Sequence, residues 1–280
     1  MKIIFHGDDF GLTSGINRGI ILSFKHGLLS SASIIASGEA SGEAISFAGQ
    51  NPGLDIGIHL TLCDETPVLA PEKLASIISN GSSFPSRGNI VRAILSGRID
   101  YSQVEAEWSA QTEKCLGAGI LISHLDSHQF VHLFPGLFPV CLKIAAKYKI
   151  PYIRTSIFDP ACLEPGFKRL FQLVSLKSWI KFFVTGRVPG NIKTHITTGF
   201  LHAGGRLDAK TILKGMDRLT RIQRHSCVEV MLHPGTGDGR TLQKYRDWDY
   251  NWKKDLDLLL DPHLKKELKR RRIAVTSFRE

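Results

Sequence analysis

The chain has 280 residues, of which 42% are hydrophobic and 22% charged, an ordinary globular mixture that excludes a disordered or fibrous protein. No apolar run approaches the roughly 18 residues that a membrane-spanning helix needs. Lysine and arginine outnumber aspartate and glutamate by 36 to 26. The basic excess is concentrated at 265–272 and in an acid-free stretch between Glu164 and Asp208. These segments are either solvated basic faces or surfaces attracted to anionic lipid or nucleic acid.

The N-terminus and the cysteines indicate a cellular compartment. Two aspartates interrupt the first apolar stretch too early for a secretory signal, which needs roughly 7–15 apolar residues. The five cysteines are scattered, without a Cys-x-x-Cys pair, so a disulfide framework and a structural zinc site are both disfavoured. We therefore expect a cytoplasmic protein.

Short apolar strands alternate with helices along the chain, a pattern typical of βαβ units around a mostly parallel sheet. The strands are predicted at 2–5, 31–36, 54–62, 121–125, 152–154, 228–232 and 273–277. The helices are predicted at 17–26, 39–48, 104–116, 137–147 and 252–260, with Thr13 or Ser14 capping the first. The segment 64–97 carries turn residues and is predicted to be looser. Because barrels of this length are often undivided, we predict one α/β domain over 1–280.

Four of the predicted strands end in side chains that can bind a metal or move a proton. They are the strands that end at Asp8-Asp9, at His59, at Asp126 and His128, and at His233. In a parallel barrel the carboxyl ends of the strands converge on one face, where active sites are built. Each ending alone has an ordinary structural explanation, such as a turn aspartate or a core histidine. Four together predict a site.

The segment 124–132 is the most informative of these endings. It holds three histidines and one aspartate within nine residues. Alternation along a strand would place His124, Asp126 and His128 on one side. Packing alone does not readily explain such a cluster, so it strengthens the prediction of a metal site.

One carboxylate and two imidazoles, with open positions for water and substrate, suit a catalytic zinc or another divalent transition ion. Such an ion polarises a carbonyl oxygen and acidifies a water molecule. A second carboxylate could accept the water proton, and an imidazolium could protonate a departing nitrogen. This machinery suffices for amide hydrolysis, although residue types alone do not separate amides from esters or phosphoesters.

Several motifs together resemble the YdjC-like (ChbG-type) carbohydrate deacetylase family. In chain order they are Asp8-Asp9-Phe10-Gly11, Asn17-Arg18-Gly19-Ile20, the segments 27–33, 57–62, 124–132 and 150–154, and His233-Pro234-Gly235. They extend from the first strand to about residue 240. The resemblance implies an irregular (β/α) barrel related to polysaccharide deacetylases, which removes the N-acetyl group of an amino sugar and releases acetate.

The resemblance also implies roles for particular residues. Asp9, His59 and His128 would hold one divalent metal ion per chain, either zinc or magnesium. Asp8 would be the general base, although the roles of Asp8 and Asp9 could be exchanged, and His233 would be the acid or oxyanion partner.

Three further residues are expected to bind substrate: Arg154, which could instead hold the base, together with His132 and Asp126. The chain departs from the family pattern at His6-Gly7, where Asn-Ala is common, and at Phe130, where His is common. Both departures could change the substrate.

The acid-free segment 167–184 has apolar and aromatic residues at helical spacing, with lysines and an arginine among them. Such a helix either covers the barrel or lies in a membrane interface, at the inner membrane face, where the substrate would be lipid-linked. Two other functions stay open: a metal-dependent phosphoesterase, and a non-enzymatic basic protein that binds anionic lipid or nucleic acid. No nucleic-acid module is recognisable, so we do not expect a nucleic-acid partner. A homodimer is possible.

Overall fold

The computed structural model describes residues 1–78, 81–134, 136–155, 192–198, 204–221 and 226–280. The strands are β1 (Lys2–Phe10), β2 (Ser31–Ile34), β3 (Asp55–Leu60), β4 (Ile122–Ser127), β5 (Tyr152–Ile153), β6 (Ile196–Thr198), β7 (Cys227–Leu232) and β8 (Ala274–Val275). The helices are α1 (Ser14–His26), α2 (Ser41–Gln50), α3 (Arg87–Leu95), α4 (Tyr101–Leu116), α5 (Phe138–Lys147), α6 (Ala209–Arg221), α7 (Gly239–Lys244), α8 (Trp252–Leu260) and α9 (Pro262–Arg270). Short 3₁₀ segments cover Pro71–Leu74, His128–Leu133 and Arg246–Trp248.

The strands form one parallel sheet in the order β5-β4-β3-β2-β1-β7-β6, with β8 pairing the start of β1. A parallel bridge between Tyr152 and Lys193 links β5 to the chain just before β6. The sheet therefore curls until its two ends meet, and the carboxyl ends of its strands face the same side. This arrangement confirms the predicted α/β fold with a curled parallel sheet.

Strand β1 lies in the interior of the sheet, between β2 and β7, and every residue from Ile3 to Phe10 is buried. Helix α1 covers the sheet through an apolar face that includes Ile16 and Ile20. It begins where the Thr13 hydroxyl accepts the Ile16 N–H, a side-chain cap of the usual kind. This confirms the predicted cap and brings the loop before α1 close to the carboxyl end of β1.

Several elements differ from the sequence-based prediction. Strand β1 continues past Phe5 through both aspartates to Phe10. The segment 64–97, predicted to be loose, contains α3, whose buried residue Ile90 anchors an otherwise exposed helix. Strand β6 and helices α6, α7 and α9 were not predicted. The prediction of a single domain over 1–280 stays a prediction.

The amphipathic segment 167–184 lies outside the described residues. Within the described part of the chain, none of the helices has the length and hydropathy needed to cross a bilayer.

Candidate active site

The paired aspartates sit at a break in the first strand. The pairing of β1 with β2 shifts register between Gly7 and Phe10, and Asp9 adopts the left-handed conformation with φ of +67°. Aspartate tolerates this conformation better than most residues, but it is still a strained one. The break turns both carboxylates toward the same pocket, which a regular strand with alternating side chains would not do.

Asp9 lies between two histidines. Its Oδ1 is 3.3 Å from Nε2 of His59 and 3.0 Å from Nδ1 of His128. One potential ligand atom from each of the three residues lies within 4.8 Å of the others, and all three are buried. Burial alone would raise the pKa of Asp9, but the two imidazoles outweigh it and hold the pKa well below its ordinary value. The three predicted ligands therefore do meet in one place.

His59 is oriented from behind by Asp126. The Asp126 Oδ1 is 2.8 Å from His59 Nδ1, and the Ser33 hydroxyl donates to Asp126 Oδ2 at 2.9 Å. Although burial lowers the pKa of His59, Asp126 raises it more, and the resulting pKa is about 10. A carboxylate that binds the remote nitrogen of a ligating histidine fixes its tautomer and its orientation. The Nε2 of His59 is thereby left to face Asp9.

The donor set fits a divalent transition ion better than magnesium. Two imidazoles with one carboxylate suit zinc, whereas magnesium prefers oxygen ligands. In addition, Nε2 of His128 is buried and has no hydrogen-bond partner among the described residues. A buried nitrogen without a partner costs free energy unless something binds it. Both observations fit a metal ion in contact with this cluster.

Asp8 makes an ion pair with Arg154 instead of contacting the histidines of the cluster. Two guanidinium nitrogens donate to its two oxygens at 2.8 Å each. Arg154 also contacts Asp126 at 2.9 Å and Glu229, whose Oε1 accepts from Nε at 2.7 Å. Burial lowers the pKa of Arg154, but the three carboxylates raise it well above its ordinary value. Arg154 therefore stays charged, binds three carboxylates at once and fixes the position of the Asp8 carboxylate.

His233 approaches both aspartates from the end of β7. Its Nε2 is 4.0 Å from Oδ2 of Asp8 and 3.9 Å from Oδ2 of Asp9. Its backbone N–H donates to Asp255 Oδ2 at 2.9 Å, which ties the turn after β7 to α8. Its buried Nδ1 has no partner among the described residues. The imidazole is therefore placed where a proton can pass to a group bound between the two aspartates.

These groups open into a pocket of about 300 Å³. Five of the predicted site residues line it: Asp8, Asp9, His59, His128 and His233. The other three, Arg154, Asp126 and His132, lie beneath it, with exposures of 2%, 0% and 0%.

His132 holds the main chain at Arg154. Its Nε2 donates to the Arg154 carbonyl at 2.7 Å, its Nδ1 contacts the Ser127 hydroxyl, and burial lowers its pKa to about 4. The two positions at which the chain departs from the family pattern, His6-Gly7 and Phe130, are also next to the pocket. Phe130 lines the pocket, and Nε2 of His6 is 3.3 Å from Oδ1 of Asp8.

Sequence reasoning missed several residues of the site. Glu229 lies in the middle of the apolar strand β7, and a buried acid in such a strand needs a partner, which is a usable signal. Ser33 carries no comparable signal in the sequence. Trp248 and Tyr250 line the pocket, but they come from the short connection between α7 and α8, where a 3₁₀ turn ends at Trp248.

Comparisons with known proteins show the family to which the chain is related. The sequence model of the YdjC-like protein family matches residues 2–270. A protein of Listeria innocua named carbohydrate deacetylase 1 is 30% identical, and the alignment covers 100% of both chains. A protein of Vibrio parahaemolyticus named carbohydrate deacetylase is also 30% identical, covering 99% of this chain and 95% of that one.

Among solved structures, an Enterococcus faecalis protein described as a cellobiose-phosphate cleavage protein has a similar fold. The TM-score is 0.75 at 23% identity, and the match covers 99% of this chain and 97% of that one.

Proposed function

Because the chain belongs to the YdjC-like protein family and its pocket joins an Asp-His-His cluster to a fixed carboxylate, we propose that it is a metal-dependent carbohydrate deacetylase. The reaction is hydrolysis of the N-acetyl group of an amino sugar, with release of acetate and a free amine. One observation supports this most strongly: Asp9 contacts both histidines while Asp8 contacts Arg154, so the two adjacent carboxylates have different partners.

Asp9, His59 and His128 are the residues that would hold one divalent ion, with zinc favoured over magnesium by the two imidazoles. When bound, the ion supplies Lewis acidity, which polarises the acetyl carbonyl and lowers the pKa of the attacking water.

Asp8 is the general base in this proposal. Arg154 pairs with both of its oxygens, which fixes the carboxylate toward the pocket without carrying it out of reach of a water. The base takes a proton from that water as it attacks the acetyl carbon. The preference for Asp8 as base and Asp9 as ligand rests on their different neighbours.

His233 is the general acid. An amine leaves poorly unless it is protonated, and Nε2 of His233 lies about equally far from the two aspartates that flank the reacting position. It can therefore deliver a proton to the sugar nitrogen of a substrate bound next to the two aspartates.

Asp126 and His132 take positioning roles in this proposal instead of the substrate contacts expected from the sequence. Asp126 orients His59, and His132 holds the Arg154 carbonyl, while both side chains lie beneath the pocket. Arg154 acts on Asp8 and not on the sugar.

Acetate release tests the proposal. Purified protein is stripped of metal, reloaded with zinc, and given a panel of acetamido sugars, both free and lipid-linked. We expect release that depends on reloading and is lost in Asp8→Asn, with the exposed residue Leu95→Ala as a control that keeps activity. No release from any panel sugar, with hydrolysis of phosphoesters by the same sample, would favour the phosphoesterase alternative.

The lipid-linked form of the substrate stays a prediction, because it depends on the segment 167–184. Vesicles of anionic phospholipid test it by flotation at low salt. Protein that floats with the vesicles, and prefers lipid-linked sugars in the panel, would support it. Protein that stays at the bottom of the gradient would contradict membrane contact and leave a free oligosaccharide as the substrate.

A further inference from the structure

One wall of the pocket is aromatic, and the catalytic groups do not use it. Trp248 and Tyr250 both line the pocket and both are half-buried. The Trp248 ring lies 5.2 Å from that of His128, and the Tyr250 ring lies 4.9 Å from that of His233. The two aromatic rings, 5.7 Å apart, therefore cover the distance between a metal-ligand histidine and the histidine placed as general acid.

An aromatic wall in a polar pocket needs an apolar partner. Indole and phenol rings present a large apolar face and are costly to leave in water. The C–H face of a pyranose ring is the apolar part of a sugar, and it matches such a surface. With an acetamido group between the aspartates, the attached ring is brought to this wall. The pocket of about 300 Å³ is at the small end for ligand sites, a size that suits a single sugar ring.

The aromatic wall is anchored through Tyr245 to the loop that follows β3. The Tyr245 ring packs 4.4 Å from that of Trp248, and its hydroxyl donates to Oε1 of Glu65 at 2.8 Å. Lys244 donates to the other oxygen of Glu65 at 3.2 Å. Glu65 is only 4% exposed, an unusual position for an acid. It lies in the loop that follows β3, the strand that carries His59.

We propose that Trp248 and Tyr250 form the binding face for the pyranose ring of the substrate, and that Glu65 is a positioning residue that holds this face through Tyr245. The proposal deepens the proposed function and rests on it. It assigns one subsite, which takes the sugar ring that bears the acetamido group. The aromatic wall contributes to substrate binding and not to bond cleavage.

The kinetic test separates binding from chemistry. Trp248→Ala should raise KM about tenfold and change kcat about twofold or less, since stacking acts on the bound ring before and during the reaction alike. Trp248→Phe should recover most of the loss, and Tyr101→Ala, at an exposed aromatic residue elsewhere, should change neither constant. Zinc affinity should be the same in all of them. An unchanged KM in Trp248→Ala would overturn the proposal.

The anchor has its own test. Tyr245→Phe keeps the ring and removes the hydroxyl, and it should raise KM several-fold with kcat retained. Combined with Trp248→Ala it should add nothing, because its effect passes through Trp248, and contacting residues are expected to be non-additive. Glu65→Gln, which can still accept from the hydroxyl, should keep a KM close to that of the unmodified protein. Additive effects of the two substitutions would refute the anchoring role.

Binding without turnover distinguishes failure of this inference from failure of the proposed function. Asp8→Asn loaded with zinc is titrated with N-acetylglucosamine, and binding is followed by ligand-observed NMR. Binding that is lost in Asp8→Asn/Trp248→Ala supports the aromatic subsite even if no panel sugar is hydrolysed. Equal binding in both variants overturns the subsite even if acetate release is established.

Discussion

Metal binding should displace a proton from His59. In the metal-free protein Asp126 holds this imidazole protonated, with a pKa of about 10, although burial opposes it. Only a neutral imidazole binds a metal. A solution at pH 7.5 is two to three pH units below this pKa, so deprotonation of His59 costs about 3 kcal/mol of the intrinsic zinc affinity. Because the raised pKa keeps His59 protonated at neutral pH, the apparent affinity for zinc should rise as the pH rises and the imidazole loses its proton.

The expected slope is about tenfold in zinc affinity per pH unit, or roughly a hundredfold between pH 6.5 and pH 8.5. Calorimetric titration of the stripped protein in buffers of different ionisation enthalpy counts the protons directly. We expect about one proton released per zinc bound from this residue. The same titration also measures the stoichiometry of binding, which should be one zinc ion per chain.

Two variants make the result interpretable. Asp126→Asn removes the charge that raises the pKa of His59, so it should flatten the slope. His132→Gln removes a neighbouring histidine whose pKa of about 4 keeps it neutral over this range, so the slope should persist. An affinity that is constant from pH 6.5 to pH 8.5 in the unmodified protein, with no proton released, would refute the reasoning.

Asp126→Asn and two further substitutions test the residues that support the site. Asp126→Asn should lower the pH-independent zinc affinity, which excludes the cost of deprotonating His59, about ten- to hundredfold, measured by competition with a chromophoric chelator over a range of pH; an unchanged pH-independent affinity would contradict its orienting role. Glu229→Gln should lower kcat by roughly ten- to hundredfold at saturating zinc, because the arginine that fixes the base loses a charged partner, and a change in KM alone would argue against this. Gly57→Ala would place a methyl group 2.2 Å from Nε2 of His124, so urea unfolding should show a loss of about 1–3 kcal/mol. Gly42→Ala meets nothing within 4 Å and should lose no stability, and equal losses in both would contradict the packing argument.

The sequence supported the main features of the fold because the same local rule recurs. Short apolar strands end in polar residues, and parallel strands bring those ends to one face. Helices that bury few apolar residues against the core were harder to predict. Helix α3 buries only Ile90, so its pattern is weak. Helix α6 is different, because its buried residues Ile212, Leu213, Met216 and Leu219 follow helical spacing and would have supported its assignment.

The sequence predicted only those site residues that stand in short motifs of metal-binding or acid-base side chains. The motifs pointed to Asp9, His59 and His128 as a group, and the structure places them together. Their supports were less visible, because a residue such as Ser33 acquires its role only through the neighbour that the fold provides. The common direction of the Asp8 and Asp9 carboxylates was not predicted either, since alternation along a strand sends two adjacent side chains to opposite sides.

The charge balance of the site explains why these supports belong together. Three acidic side chains, Asp8, Asp126 and Glu229, contact the guanidinium of Arg154, and the buried Asp9 carboxylate adds a fourth negative charge to the same site. Three formal negative charges are thus left unbalanced, and burial of unbalanced charge is costly. A proton on His59 balances one of them in the metal-free state, whereas a divalent ion that replaces this proton balances two. The carboxylates that make the metal-free site retain a proton on His59 therefore also make the site favour a divalent cation, and this links the pH dependence of metal binding to the positions of Asp126, Asp9 and Asp8.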